Sequence, residues 1–446
     1  MDATLGVSSL PLLEDILDIV IGNLRDDKTS LSEISLVSKP FMVLARRHLF
    51  RTIVVQGVSD TQGFPEFKEL LSSSQETSHF IQDISLVGRV NGCNILQPSL
   101  DYHLLGQILS NLPSLRSLEL KNVHWVGKID YGRDKSSIHE YSPIPLHKLS
   151  IISGCVEEEP EGFAGKHNLF GLLTLFSTID TFYLSCVQIT GRRLHSPVID
   201  NPECQKIEIP SYLQVRSLIL EGNLEPYILE AISKSGSRDS LKHLSLEWYE
   251  WEDLVAVGAF LREIGQGIEV LSFAPDHTFW QSEEMRNHQY RYHPDAVGYH
   301  ILDLAPCSSL RSLRFELHIV TAISENTYWQ DTFEYLAQIL NTATRSMERF
   351  NMGFEVWPLQ CPQAHTIFSN MMPWLLLDDA LNKSLGLKQV ILEVSIKRVE
   401  GDAPQIDKVQ TDLAFLERAC PHLYRKSILH VQYRESAVPR GRFSGR

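Results

Sequence analysis

From residue 81 onward, apolar residues recur in one pattern: an apolar residue, two others, an apolar residue, one other, and a last apolar residue. The triples are Ile81/Ile84/Leu86, Leu115/Leu118/Leu120, Leu146/Leu149/Ile151, Ile179/Phe182/Leu184 and Val215/Leu218/Leu220. They continue with Leu241/Leu244/Leu246, Ile268/Leu271/Phe273, Leu310/Leu313/Phe315, Met347/Phe350/Met352 and Leu387/Val390/Leu392. An eleventh, Leu429/Val431, has Lys426 where the first apolar residue belongs. In an extended segment, alternate side chains share a face. The last two residues of each triple therefore predict a short strand with one apolar side. Helical spacing precedes most of these strands, as at Leu104–Leu112, Leu169–Phe176, Ile228–Ser233, Leu254–Ile264, Phe333–Leu340 and Leu413–Cys420. The unit is helix, turn, strand, recurring about every 34 residues. One such unit cannot bury its apolar face alone, so the units must stack. The expected fold class is α/β, with a parallel sheet covered by helices.

The first fifty residues have a different texture. Leu13, Ile16, Leu17, Val20, Ile21 and Leu24 recur at three- and four-residue steps, which predicts a helix with one apolar face. Thr29 or Ser30 suits the cap of a second helix, with Glu33 completing a capping box and Leu31, Ile34, Leu36 and Val37 on its apolar side. Pro40 suits the first turn of a third helix carrying Phe41, Leu44, Ala45 and Leu49. Three helices in so short a stretch bury little core by themselves. They form either a helical cap on the larger array or a head that shares its apolar face with a partner.

This head resembles an F-box in the form common in mushroom-forming fungi. The resemblance rests on Leu10-Pro11, the helix from Asp15 to Leu24, the acidic Asp26-Asp27, Leu36-Val37-Ser38 followed by Phe41, and the trailing Arg47 to Ile53. The array similarly resembles the irregular leucine-rich repeats that follow such F-boxes. The domains implied are an F-box over 10–52, a leucine-rich-repeat-like α/β solenoid over 53–433 and a disordered tail over 434–446. The resemblance implies a non-enzymatic adaptor that binds the Skp subunit of a cullin–RING ubiquitin ligase through the head and a protein substrate through the repeats. It places Leu10, Pro11, Ile16, Leu17, Val20, Leu36 and Val37 at the adaptor. Leu24 and Phe41 would hold the head together. The alternative is a repeat-type binding scaffold with no ligase role.

Composition narrows the partners. Asp and Glu number 55 against 41 Lys and Arg, a net charge of −14. That disfavours general binding to nucleic acid or anionic membrane, since both require a cationic surface. The seven cysteines are scattered, without a CxxC pair, as suits reduced thiols of an intracellular protein. The N-terminus shows no basic segment ahead of an apolar core, and no apolar run reaches membrane-spanning length. The expected location is the cytoplasm or nucleus.

Candidate chemistry is sparse. Phosphate-binding, nucleophile-elbow and HExxH motifs are missing from the sequence. His277, His288, His293 and His300 share one insertion, but their spacings do not put two ligands on one helical face. Cys361 with His365, and Cys420 with His422, suit turns or core better than metal sites. No cofactor and no metal are expected. The substrate surface is expected on the strand positions that alternate with the buried pairs. It includes Tyr183, Glu221, Glu247 and Arg314, with a modest acidic excess and an aromatic lip at Trp248 and Trp251.

Overall fold

In the computed structural model, the described residues are 11–59, 62–88, 98–125, 141–152, 155–157, 164–185, 188–190, 209–222, 226–248, 251–275, 302–319, 326–343, 345–356, 372–399 and 419–438. The chain divides into two compact units, Met1–Ile207 and Glu208–Arg446. Among the described residues, no helix is long and apolar enough to cross a membrane.

The first unit opens with three helices, α1 (Pro11–Gly22), α2 (Lys28–Ile34) and α3 (Lys39–Leu49). Their shared core is small: Ile21, Leu31 and Leu44 are buried, with Leu17, Leu24, Ile34, Phe41 and Leu49 packed around them. Leu24 and Phe41 therefore sit where the sequence suggested. The cap of α2 differs from the expected Ser30/Glu33 box. Asp27 is the N-cap, accepting the Ser30 backbone N–H at 3.0 Å and its hydroxyl at 2.7 Å. These bonds, led by the hydroxyl, hold the Asp27 carboxyl below its usual range. Arg47 and His48 of α3 reach Asp18 of α1 at 3.4 and 3.3 Å.

Five strands of the same unit form a parallel ladder in the order β1 (Thr52–Gln56), β2 (Asp83–Val87), β4 (Ser117–Lys121), β6 (Ile144–Ile152) and β8 (Phe176–Ser185). Strand β1 adds a member ahead of the first sequence triple. Helices α4 (Phe64–Ser73), α5 (Gln75–Ser78), α6 (Tyr102–Ser110) and α7 (Ala164–Leu173) lie between strands in sequence. Four very short strands make a second parallel ladder: β3 (Ser99–Leu100), β5 (His124–Trp125), β7 (Cys155–Glu157) and β9 (Gln188–Thr190). The apolar pattern of the sequence does not mark it, because strands of two or three residues are too short to show a period.

The second unit carries seven parallel strands: β10 (Gln214–Glu221), β11 (His243–Trp248), β12 (Val270–Pro275), β13 (Ser312–Ile319), β14 (Arg349–Val356), β15 (Gln389–Val399) and β16 (Leu429–Val438). Its helices are α8 (Pro226–Lys234), α9 (Ser237–Ser240), α10 (Trp251–Ile264), α11 (Asn326–Thr342), α12 (Trp374–Asn382) and α13 (Pro421–Arg425). Strand β16 pairs with β15 as far as Val438, so residues 434–438 of the expected tail belong to the sheet. Residues 439–446 lie outside the described residues.

Pairing follows the sequence triples residue for residue. Ile84 stands opposite Leu118, Leu118 opposite Leu149, and Leu149 opposite Phe182. In the second unit the same row runs Leu218, Leu244, Leu271, Leu313, Phe350, Val390 and Leu429. Every residue of the ten full triples is buried except Leu387, which is half-buried. Aromatic rings line part of this row: Phe273 and Phe315 have centroids 5.3 Å apart, and Phe354 lies edge-on to Trp374 of α12. The intervening residues are largely half-exposed, so helices cover one face of the ladder and leave the other open.

Several strands are anchored by one carbonyl of the preceding repeat that accepts two N–H groups. The Arg51 carbonyl takes those of Gln82 and Asp83, and the Gln82 carbonyl takes those of Arg116 and Ser117. Lys242, Glu269, Arg311 and Glu348 repeat the device in the second unit. A slip of one residue would break this contact and turn every leucine of the row to the open face.

Leu118→Ala, Leu244→Ala and Leu313→Ala should each destabilise the chain by about 2–5 kcal/mol, because each removes a wholly buried side chain from a row that cannot collapse locally. Urea unfolding measures this, and a cost below about 1 kcal/mol at all three positions would contradict the packing described.

Candidate interaction surfaces

The three-helix head exposes more apolar surface than its size requires. Ile16 (49% exposed), Ile19, Val20 (54%), Leu36 (85%), Val37 and Val43 all face outward. The small core explains why: once Ile21, Leu31 and Leu44 are buried together, the remaining apolar residues have nothing left in the head to pack against. Of the residues assigned to the adaptor, Ile16, Val20, Leu36 and Val37 are in this exposed set. Leu17 is half-buried and packs against the head's own core. Leu10 lies outside the described residues, and Pro11 begins α1 with its side chain outside them. Ile19 and Val43 were missed. Ile19 falls between core-facing positions of α1, where helical periodicity marks a polar side.

The open face of the second unit is charged. On β13, Arg314 Nε lies 2.5 Å from Glu316 Oε1, and its terminal nitrogen reaches Glu393 of β15 at 3.5 Å. The strand between them, β14, presents Gly353 there, and a Cβ at that glycine would stand 3.8 Å from the Arg314 guanidinium. Arg434 of β16 adds a contact to Glu393 at 3.0 Å. Glu393 is consequently 8% exposed although it faces away from the core, with a cation on each side to offset its desolvation. The carboxylates of Glu316 and Glu393 on this face are thus paired with arginines. Glu221 and Glu247, expected at the substrate, follow the paired Leu220 and Leu246. Glu247 accepts the Gly222 N–H at 3.3 Å.

Tyr183 sits half-buried on β8 of the first unit, while Glu221, Glu247 and Arg314 belong to the second. Trp248 ends β11 and Trp251 begins α10, but their side chains lie outside the described residues, as do residues 249–250 and the His-rich insertion at 276–301. Cys361 and His365 lie outside them too. Among the described residues, no group of three or more His, Cys, Asp or Glu is arranged to hold a metal ion.

One constellation resembles catalytic machinery. The wholly buried Asp378 of α12 lies 2.7 Å from His422 Nδ1, and Cys420 stands two residues before that histidine. Asp378 also accepts the backbone N–H groups of His422 and Leu423, each at 2.9 Å. Those are the orphan donors of the first turn of α13, whose Pro421 has no N–H to offer. The carboxylate thus acts as a cap supplied by the preceding helix. The Cys420 thiol is pushed up to about 12, first by burial and then by the charge of Asp378. A nucleophilic cysteine needs the opposite shift. Cys307 is likewise raised to about 12, by burial and then by Asp303.

Both thiols should therefore resist alkylation in the native chain at pH 8 and react once it is unfolded. Peptide mass spectrometry after labelling reads each site, and rapid native labelling of Cys420 would restore it as a nucleophile candidate. No protein-family model matches the chain, and no curated protein matches it.

Proposed function

We propose that the chain is the substrate-recognition subunit of a Skp–cullin–F-box ubiquitin ligase, with the helical head as an F-box and the helix–strand array as a leucine-rich-repeat-like solenoid. The observation that carries this reading is the exposed apolar set of the head, Ile16, Ile19, Val20, Leu36, Val37 and Val43, held on three helices whose core is made by other residues. Exposed apolar patches on a soluble protein mark interaction sites. Helices presenting such residues suit a partner's hydrophobic groove. The head is separated in sequence from most of the array, so one chain can hold the ligase at one place and a target at another. Catalysis would lie in other subunits, and this chain would raise the local concentration of its target near them.

The test is binding of the full-length chain to a purified Skp adaptor. Ile16→Asp with Val20→Asp should lower affinity by at least about a hundredfold, since each places a charge in a dry contact. Secondary structure should be unchanged, because both positions are already exposed. Leu17→Asp should instead unfold the head. Failure of the unaltered chain to bind the adaptor would remove the ligase role and leave a repeat-type binding scaffold.

A further inference from the structure

One corner of the second unit carries a charge opposite to that of the whole chain. Three successive loops lead into β14, β15 and β16, which are adjacent and parallel. The loop into β14 holds Arg345 and ends on Arg349, the first residue of that strand. The loop into β15 holds Lys383 and Lys388, and the loop into β16 holds Arg425 and Lys426. All six are exposed, and Glu348 is the one carboxylate among residues 345–349, 382–389 and 424–429. It is paired with Lys388 at 2.8 Å, and its carboxyl is held below the usual range chiefly by that lysine.

The loops touch one another. A Cβ on Gly386 would lie 2.1 Å from the Arg345 carbonyl, so only glycine permits this approach. Lys383 Nζ lies 3.4 Å from Asn341, and Lys426 Nζ donates to the Asn382 carbonyl at 3.2 Å. Two large apolar side chains stand out among these cations: Leu385, 76% exposed, and Tyr424, 52% exposed.

Helix ends explain part of this charge. Lys383 and Arg425 lie at the C-termini of α12 and α13, where the helix dipole favours cations. Arg349 and Lys388 stand at strand starts, where no dipole calls for them, and nothing of that kind calls for Leu385 outside. The nearest helix carboxylate, Asp379, faces His422 at 3.6 Å. The net charge of −14 repels a dense polyanion at long range but tolerates a ligand with a few charges.

We propose that this corner binds an acidic peptide segment that carries an apolar side chain, with the carboxylates meeting the Arg and Lys ring and the apolar residue packing on Leu385 and Tyr424. The inference does not depend on the ligase reading, because peptide binding by the full chain needs no adaptor. It also differs from the open face of the sheet, where Glu221 and Glu247 would select a basic ligand.

The experiment measures fluorescence anisotropy of the purified full chain with a labelled peptide of alternating Glu and Leu. Parallel probes are the same peptide with Gln for Glu, with Ser for Leu, and a single-stranded oligonucleotide. The acidic apolar peptide should bind best, and its affinity should fall several-fold between about 50 and 300 mM salt. Arg345→Glu, Lys383→Glu and Arg425→Glu together should weaken it about tenfold or more, with the chain still folded in the absence of urea and the urea midpoint lowered modestly by the loss of two helix-end cations. Should that variant unfold, the three alanine substitutions should still weaken binding several-fold. Leu385→Ser should weaken binding at both salt concentrations, since the contact it removes is not electrostatic. No binding of the acidic peptide, equal binding by the charge variants, or preferential binding of the oligonucleotide would each overturn the proposal.

Discussion

Alignment of the apolar rows is the constraint on which both units rest. Leu118 meets Ile84 and Leu149 without offset, and Leu313 meets Leu271 and Phe350 in the same way. A strand with one apolar side has no stable alternative to this register, because a one-residue shift exposes the whole row. The doubly accepting carbonyls at Arg51, Gln82, Lys242, Glu269 and their equivalents fix the point at which the following strands join. Loop length can then vary from repeat to repeat without disturbing the sheet, because lengthening a surface loop costs little entropy.

That tolerance shapes where function can sit. Core positions are dictated by packing, so chemistry is displaced to the open face, the loop edges and the head. The open face shows how strand alignment places charges. Arg314 and Glu393 are distant in sequence and two strands apart, yet they meet across Gly353 of the strand between them. The loop edge shows the same logic. Arg345, Lys383 and Arg425 each fall at the end of a different repeat, and stacking makes them neighbours. The head follows a different rule. Its core is too small to bury all its apolar residues, and the remainder stay exposed.

Asp378 illustrates how one polar group can join two repeats. It caps the helix that follows its own and orients His422, and its charge helps keep the neighbouring Cys420 thiol protonated. A Cys–His–Asp set chosen by residue type alone suggests a nucleophile. The bonding shows a helix cap instead, because two of the three strong acceptor contacts go to backbone N–H groups.

The sequence by itself determined the repeat, the inward-facing residues and, through them, the register of the large ladder. This was possible because alternation in a strand is a local property that requires no knowledge of the partner strand. It also determined that the head is helical and that Leu24 and Phe41 belong to its core. Only tertiary structure decided that Leu17 turns inward while Ile19 and Val43 turn outward, since the faces of a three-helix head depend on how the helices cross. Only tertiary structure paired Glu393 with Arg314 and Arg434, and built a ladder from strands of two or three residues. It alone gathered six cations into one corner of a chain with a net charge of −14. Each of these depends on which repeats lie side by side and on what stands between them, and spacing along a single chain does not carry that information.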